Sequence, residues 1–302
     1  MPPEQLVPIR AGLMARRAAP PPPIEARRAG FEAQMAVLPV DPEVAVTPVD
    51  LGGVPGLRSR YGEDTGRVLL WLHGGAFVLG SAQSYRPFAA RLARACRCDV
   101  IVPDYRLAPE HPFPAARDDT VAALDALTEQ GTAMGNVAIG GDSCGANLAL
   151  AAVQSRIARG AAAPAALWLI SPYLDLTHKG ASITTRAVRD PFIDPAGMAE
   201  TARTYLGPAD PADPRASPLF GAAAGLPPTL IQIGSDEVLF DDAARLHGRI
   251  NAAGGRAVFQ EWAGMIHVWP LFAHAVDEGA WAIAQGGAFL SHIWPPVASR
   301  TE

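Results

Sequence analysis

The chain has three cysteines in 302 residues, too few for a disulfide framework. Cys96 and Cys98 are two positions apart, closer than an ordinary bridge allows, and they lack the partners of a zinc site. Scarce cysteine fits a reducing compartment. Met1–Ile9 has prolines and Glu4 where a signal peptide would have a basic region and an apolar core. The expected location is the cytoplasm. No apolar run is long enough to span a bilayer, so stable membrane insertion is not expected. Positive charge is also in short supply: 25 Lys and Arg against 30 Asp and Glu leave a net charge of −5. A nucleic-acid partner would need a clustered basic face, and none is expected. What the chain has is apolar residues, 49% of the total against 18% charged, enough for a large core and unlike a disordered composition. With no central linker, the reading is a single domain over residues 1–302.

Eight segments have strand patterns: Val44–Asp50, Gly56–Tyr61, Val68–His73, Val100–Asp104, Val137–Gly141, Ala166–Ser171, Thr229–Gly234 and Ala257–Glu261. Gly52-Gly53 turns the first pair into an antiparallel ribbon. Several later strands are short continuous apolar runs, as in a sheet covered on both faces. Helical patterns at Tyr85–Ala95, Ala115–Glu129, Gly145–Arg159, Asp241–Ala253 and Phe272–Ile293 alternate with them, which predicts α/β layering with right-handed crossovers. Two regions break the rhythm. Near the start, Pro20–Pro23 separate an arginine-containing stretch from an amphipathic pattern over Ile24–Leu38, read as either a flexible arm or part of a lid. Between Asp175 and Pro227 an insertion has no convincing strand. Insertions in open sheets sit at the carboxyl edge, where ligands bind, so a helical cap is expected.

The chemistry centres on Gly141-Asp142-Ser143-Cys144-Gly145, at the junction of a buried strand and an alanine-rich helix. A G-x-S-x-G sequence there makes a nucleophile elbow, whose tight backbone demands the flanking glycines and lifts the serine hydroxyl above the sheet. A serine needs a base to take its proton and an acid to orient that base, in chain order Ser, Asp or Glu, His. His267 lies just beyond a late strand, whereas His178 is in the insertion and His247, His274 and His292 are in helical patterns. Asp236, immediately after Thr229–Gly234, is the expected acid, with Glu237 and the pair Asp241/Asp242 as rivals. The pair is better explained as negative charge at a helix start. His73-Gly74-Gly75-Ala76-Phe77 follows another strand, and the N–H groups of Gly75, Ala76 and Cys144 are the expected oxyanion hole. His73 and Gly74 are expected to hold that loop. Asp142 is read either as a solvated turn residue or as an acceptor steadying the loop. Arg106 and Glu110 are expected to bind each other or the Asp104 loop behind the site.

Taken in order, His73–Phe77, Asp104-Tyr105-Arg106-Leu107-Ala108-Pro109-Glu110, Gly141–Gly145, Gly234-Ser235-Asp236-Glu237 and Gly264-Met265-Ile266-His267 resemble the bacterial hormone-sensitive-lipase-like branch of the α/β-hydrolase fold. The likeness runs from about residue 45 to the end. It implies an eight-stranded, mostly parallel sheet flanked by helices, with a cap from about 1–43 and about 175–218. It also implies a carboxylesterase acting on short to medium acyl esters through an acyl-enzyme, with no metal or organic cofactor. Lactones are the alternative substrates, and a non-catalytic ligand-binding role is the competing class. Small apolar esters or lactones are the expected partners, and the resemblance implies a homodimer, which relatives commonly form, sometimes by pairing the edge strand near Ala257–Glu261. Phe31, Met35, Leu38, Phe192, Met198 and Tyr205 are cap candidates for an apolar acyl or alcohol pocket or, equally, for core contacts. Ala76 and Cys144 depart from the family pattern without removing a backbone donor, and Cys144 is expected to confer sensitivity to thiol reagents.

Overall fold

A computed structural model describes residues 3–294 of the chain. β1 (Val44–Asp50) and β2 (Pro55–Tyr61) form an antiparallel hairpin. Its turn places Gly52 and Gly53 at φ of 67° and 88°, the double positive φ that a tight hairpin turn requires. β3 (Val68–Leu72), β4 (Asp99–Pro103), β5 (Val137–Asp142), β6 (Ala166–Ile170), β7 (Thr229–Gly234) and β8 (Ala257–Trp262) complete an eight-stranded sheet in the order β1-β2-β4-β3-β5-β6-β7-β8. β2 meets β4 antiparallel, and every pair from β4 to β8 is parallel.

The central strands β3 to β7 are buried along their whole length. Each therefore reads as a continuous apolar run, because successive side chains enter different cores. Leu70, Leu72, Ile139 and Leu169 point into a core closed by α4 (Ala115–Glu129), α5 (Cys144–Ala158) and α8 (Phe240–Ala252). Leu69, Trp71, Ala138 and Trp168 point the other way, against α3 (Arg86–Cys96) and α9 (Asp277–Ile293). The predicted last helix begins at Asp277, not Phe272, because Trp269–Phe272 close a separate 3-10 turn first. Asp277 and Glu278 then place negative charge in the first turn of α9.

The cap region is helical. α1 (Val7–Ala18) forms where no helix pattern was apparent: Pro8 is tolerated in its first turn, and none of its side chains is buried. Polar contacts fasten it. Arg17 donates to the carbonyls of Ala187 and Asp190, and Arg10 to that of Arg189. α2 (Ile24–Ala36) follows the proline run, and Arg28 ties it to the carbonyls of Val78 and Ala108 and to Glu110. The insertion contributes α6 (Ser182–Thr185) and α7 (Pro195–Leu206), the latter capped by the Asp194 carboxylate on Gly197 N–H. Among the described residues, no helix is long and apolar enough to cross a membrane.

Candidate active site

Every loop leaving the carboxyl ends of β3, β5, β7 and β8 contributes a group to one place. At the end of β5, Ser143 sits at φ 54° and ψ −122°. Nothing larger than glycine fits two positions before or two positions after it. A methyl on Gly141 would come within 2.4 Å of the backbone of Gly145, and one on Gly145 within 2.0 Å of the Leu72 carbonyl. The strained backbone is fixed in turn by Ser143 N–H on the Ile170 carbonyl at 3.0 Å and by Tyr173 N–H on the Ser143 carbonyl at 3.1 Å.

His267 Nε2 lies 3.0 Å from Ser143 Oγ, as the sequence leads one to expect. The acid does not follow expectation. His267 Nδ1 lies 2.9 Å from Glu237 Oε2, and Asp236 touches a different partner altogether, Arg10 Nη1 at 2.7 Å. The reason is the turn after β7. Asp236 N–H reaches the Met265 carbonyl and Glu237 N–H returns to the Gly234 carbonyl, which faces Asp236 toward α1 and Glu237 inward. Glu237 is fully buried, and its second oxygen accepts from Gly234 N–H at 2.6 Å and Ser171 Oγ at 2.8 Å. Ser171 Oγ also accepts from Val268 N–H at 2.9 Å, so one hydroxyl joins the acid to the histidine loop. Burial raises the proton affinity of Glu237, while the hydrogen bond to His267 opposes that rise. The other rivals serve the cap: Asp241 and Asp242 open α8, where Asp242 accepts from Leu174 and Asp175 N–H and Asp241 from Ser182 N–H.

In the loop after β3, Gly75, Ala76 and Phe77 have φ of 124°, 54° and 64°, a run of left-handed backbone. Phe77 N–H donates to Cys144 Sγ at 3.2 Å, which sets this loop against the elbow. Among the described residues, Gly75 N–H and Cys144 N–H have no backbone partner. The support beneath the loop is polar and buried. Asp142 accepts from Trp71 Nε1 at 3.1 Å and from Tyr85 hydroxyl at 2.7 Å, and that hydroxyl accepts from Gly74 N–H at 2.9 Å. Asp142 is thus an acceptor steadying the loop, not a solvated turn residue, and burial pushes its pKa up to about 6. His73 donates from Nδ1 to the Gly74 carbonyl at 2.8 Å and stacks on Tyr105. Burial lowers its pKa to about 4, which keeps it neutral.

Two other expectations change. Cys144 is fully buried and its thiol is pushed up to about 12, mainly by burial. A thiol that is neither exposed nor ionised is the inert kind, which argues against the expected sensitivity to thiol reagents. Arg106 and Glu110 do not bind each other: Arg106 forks onto Asp119, and Glu110 takes Arg28 from α2. The sequence reading also passed over Ser171, Tyr85 and Asp190. Asp190 is fully buried and accepts from Phe192 and Ile193 N–H and from Val238 N–H, beside Glu237. No local motif marks these three, since each acts across more than forty positions of sequence or from inside the irregular insertion.

The chain is similar to known hydrolases over most of its length. Residues 69–271 match the family described as the alpha/beta hydrolase fold. The chain is 47% identical to an acetyl-hydrolase of Streptomyces hygroscopicus over 76% of its own length and 77% of the relative's. It is 36% identical to an esterase of Acinetobacter venetianus over 85% of both. Among solved structures, an esterase from the bacterial hormone-sensitive lipase family superposes with a TM-score of 0.94 at 37% identity, covering 98% of this chain and 100% of that one. Sheet order, elbow and likeness agree, and the chain belongs to the bacterial hormone-sensitive-lipase-like esterase branch of the α/β-hydrolase superfamily.

Proposed function

We propose that this protein is a serine carboxylesterase in which Ser143, His267 and Glu237 form the catalytic triad. The observation that carries the reading is the continuous relay from Ser143 Oγ through both imidazole nitrogens to a buried carboxylate. His267 Nε2 takes the hydroxyl proton as Oγ forms a bond to the ester carbonyl carbon. The resulting oxyanion is held by the N–H groups of Gly75, Ala76 and Cys144. Collapse breaks the bond to the alcohol oxygen, which leaves with the proton from Nε2. Water then adds to the acyl-enzyme by the same route, releasing the acid and restoring Ser143. Glu237 holds Nδ1–H throughout and stabilises the transient imidazolium.

Substrates in this reading are small apolar esters with short to medium acyl groups, and the acetyl-hydrolase relative favours the short end. The segments about 1–43 and about 175–218 act as a cap within a single domain. The three free, buried cysteines are in keeping with a cytoplasmic site of action. Dimerisation through β8 belongs to the same proposal, since that strand is the sheet edge and its Val258 is half exposed.

The test is labelling with a fluorophosphonate, followed by hydrolysis of nitrophenyl esters graded by acyl length, with lactones included. The expected result is stoichiometric labelling of wild type, none of Ser143→Ala, and a loss of kcat of about 10⁵-fold or more in that variant. Undiminished turnover by Ser143→Ala would overturn the assignment. Turnover of lactones in preference to every ester would replace the substrate class.

A further inference from the structure

Resting on the triad above, we infer that Phe192 is the residue that selects the alcohol half of the ester. The same Nε2 must take the proton of Ser143 and give it to the departing oxygen, so the alcohol group has to lie beside the His267 ring. The Phe192 ring stands there, edge to face with the imidazole at 5.4 Å between centroids and 65° between planes. His267 is only 3% exposed, whereas Phe192 is 38% exposed, so the phenyl ring is the outer wall over a covered base.

Phe192 is not carried on a free loop. Its N–H and that of Ile193 bind Asp190 Oδ1 at 2.8 and 3.0 Å, while Asp190 Oδ2 takes Val238 N–H, the residue after the triad acid, at 3.0 Å. From outside, Arg17 of α1 grips the carbonyls of Ala187 and Asp190. The wall is therefore tied through the buried Asp190 carboxylate to the same turn that aims Glu237, and those hydrogen bonds set its position relative to the imidazole. A large aromatic placed this way admits small primary alcohols and obstructs branched or fused-ring ones.

The test compares wild type with Phe192→Ala and Phe192→Leu on two series: acetates of alcohols from ethyl to naphthyl, and ethyl esters of acids from acetic to octanoic. The expected result is a rise on the order of tenfold in the naphthyl-to-ethyl ratio of kcat/KM for Phe192→Ala, a smaller rise for Phe192→Leu, and an unchanged acyl-length profile. Fluorophosphonate labelling counts the folded active sites, so a poorly folding alanine variant is read through the leucine one. An unchanged alcohol ratio in labelled variants, or a shift in the acyl profile instead, overturns this inference and leaves the triad standing. Wild type that neither labels nor hydrolyses any ester overturns both.

Discussion

The turn after β5 and the turn after β7 lie at the same edge of the sheet, and each supplies one end of the proton relay, yet they are specified in opposite ways. The elbow is local. Gly141 and Gly145 are required by atoms four residues apart and by the adjacent strand, and the strained φ of Ser143 follows from that crowding. The acid turn is contextual. Asp236 and Glu237 are adjacent carboxylates, and only the Met265 carbonyl, Ser171 and Arg10 decide which one faces the imidazole. A local device tolerates no change in its own residues; a contextual one tolerates change at one carboxylate and none at its neighbour.

The sharpest way to break that contrast is to neutralise the two carboxylates separately. Glu237→Gln should lower kcat by on the order of 10³–10⁴, because the imidazole loses its anionic partner and its fixed tautomer. Asp236→Asn should leave kcat within about threefold, and its largely covered ion pair with Arg10, whose side chains are 14% and 22% exposed, contributes on the order of 1 kcal/mol to stability. Steady-state kinetics on one nitrophenyl ester reads both, and a greater loss in Asp236→Asn would return the acid to the position expected from sequence.

Gly145→Ala probes the elbow as a folding element. A methyl 2.0 Å from the Leu72 carbonyl has no room, so destabilisation of more than about 3 kcal/mol is expected in denaturant melts. A variant as stable as wild type would show that the elbow is not confined by its surroundings.

The support under the His73–Phe77 loop gives a smaller effect than the elbow, and it depends on pH. Asp142 has a folded pKa of about 6, above the ordinary carboxylate value of about 3.9. Its contribution to stability is therefore complete below about pH 4 and is lost as pH rises through 6. Asp142→Asn does not titrate. The stability of wild type minus that of the variant should fall by on the order of 2 kcal/mol between pH 4.5 and 7.5. A difference that stays flat or grows would mean that Asp142 is ionised in the folded protein throughout.

The strands and, apart from the start of the last one, the body helices were legible to within a residue because each buried strand is a short apolar run with turn-forming residues close to its ends. Thr229–Gly234 and Ala115–Glu129 match their predicted limits. α1 was not legible, since its hold on the molecule comes from Arg10 and Arg17 reaching backbone carbonyls more than 150 positions away. Phe192 had a reason to be noticed as a large apolar residue in the insertion, but nothing nearby says that its ring meets His267.

The sequence alone determined the sheet and the elbow, and it marked His267 and the His73–Phe77 loop at the ends of their strands, because each is read from side-chain periodicity or from glycines and strand ends within a few positions of one another. Tertiary structure decided which of two adjacent carboxylates completes the relay, which cap residue stands over the base and how the first helix is fastened. Those choices depend on the directions of side chains across strands and segments far apart in the chain, and the order of residues along a polypeptide does not state direction.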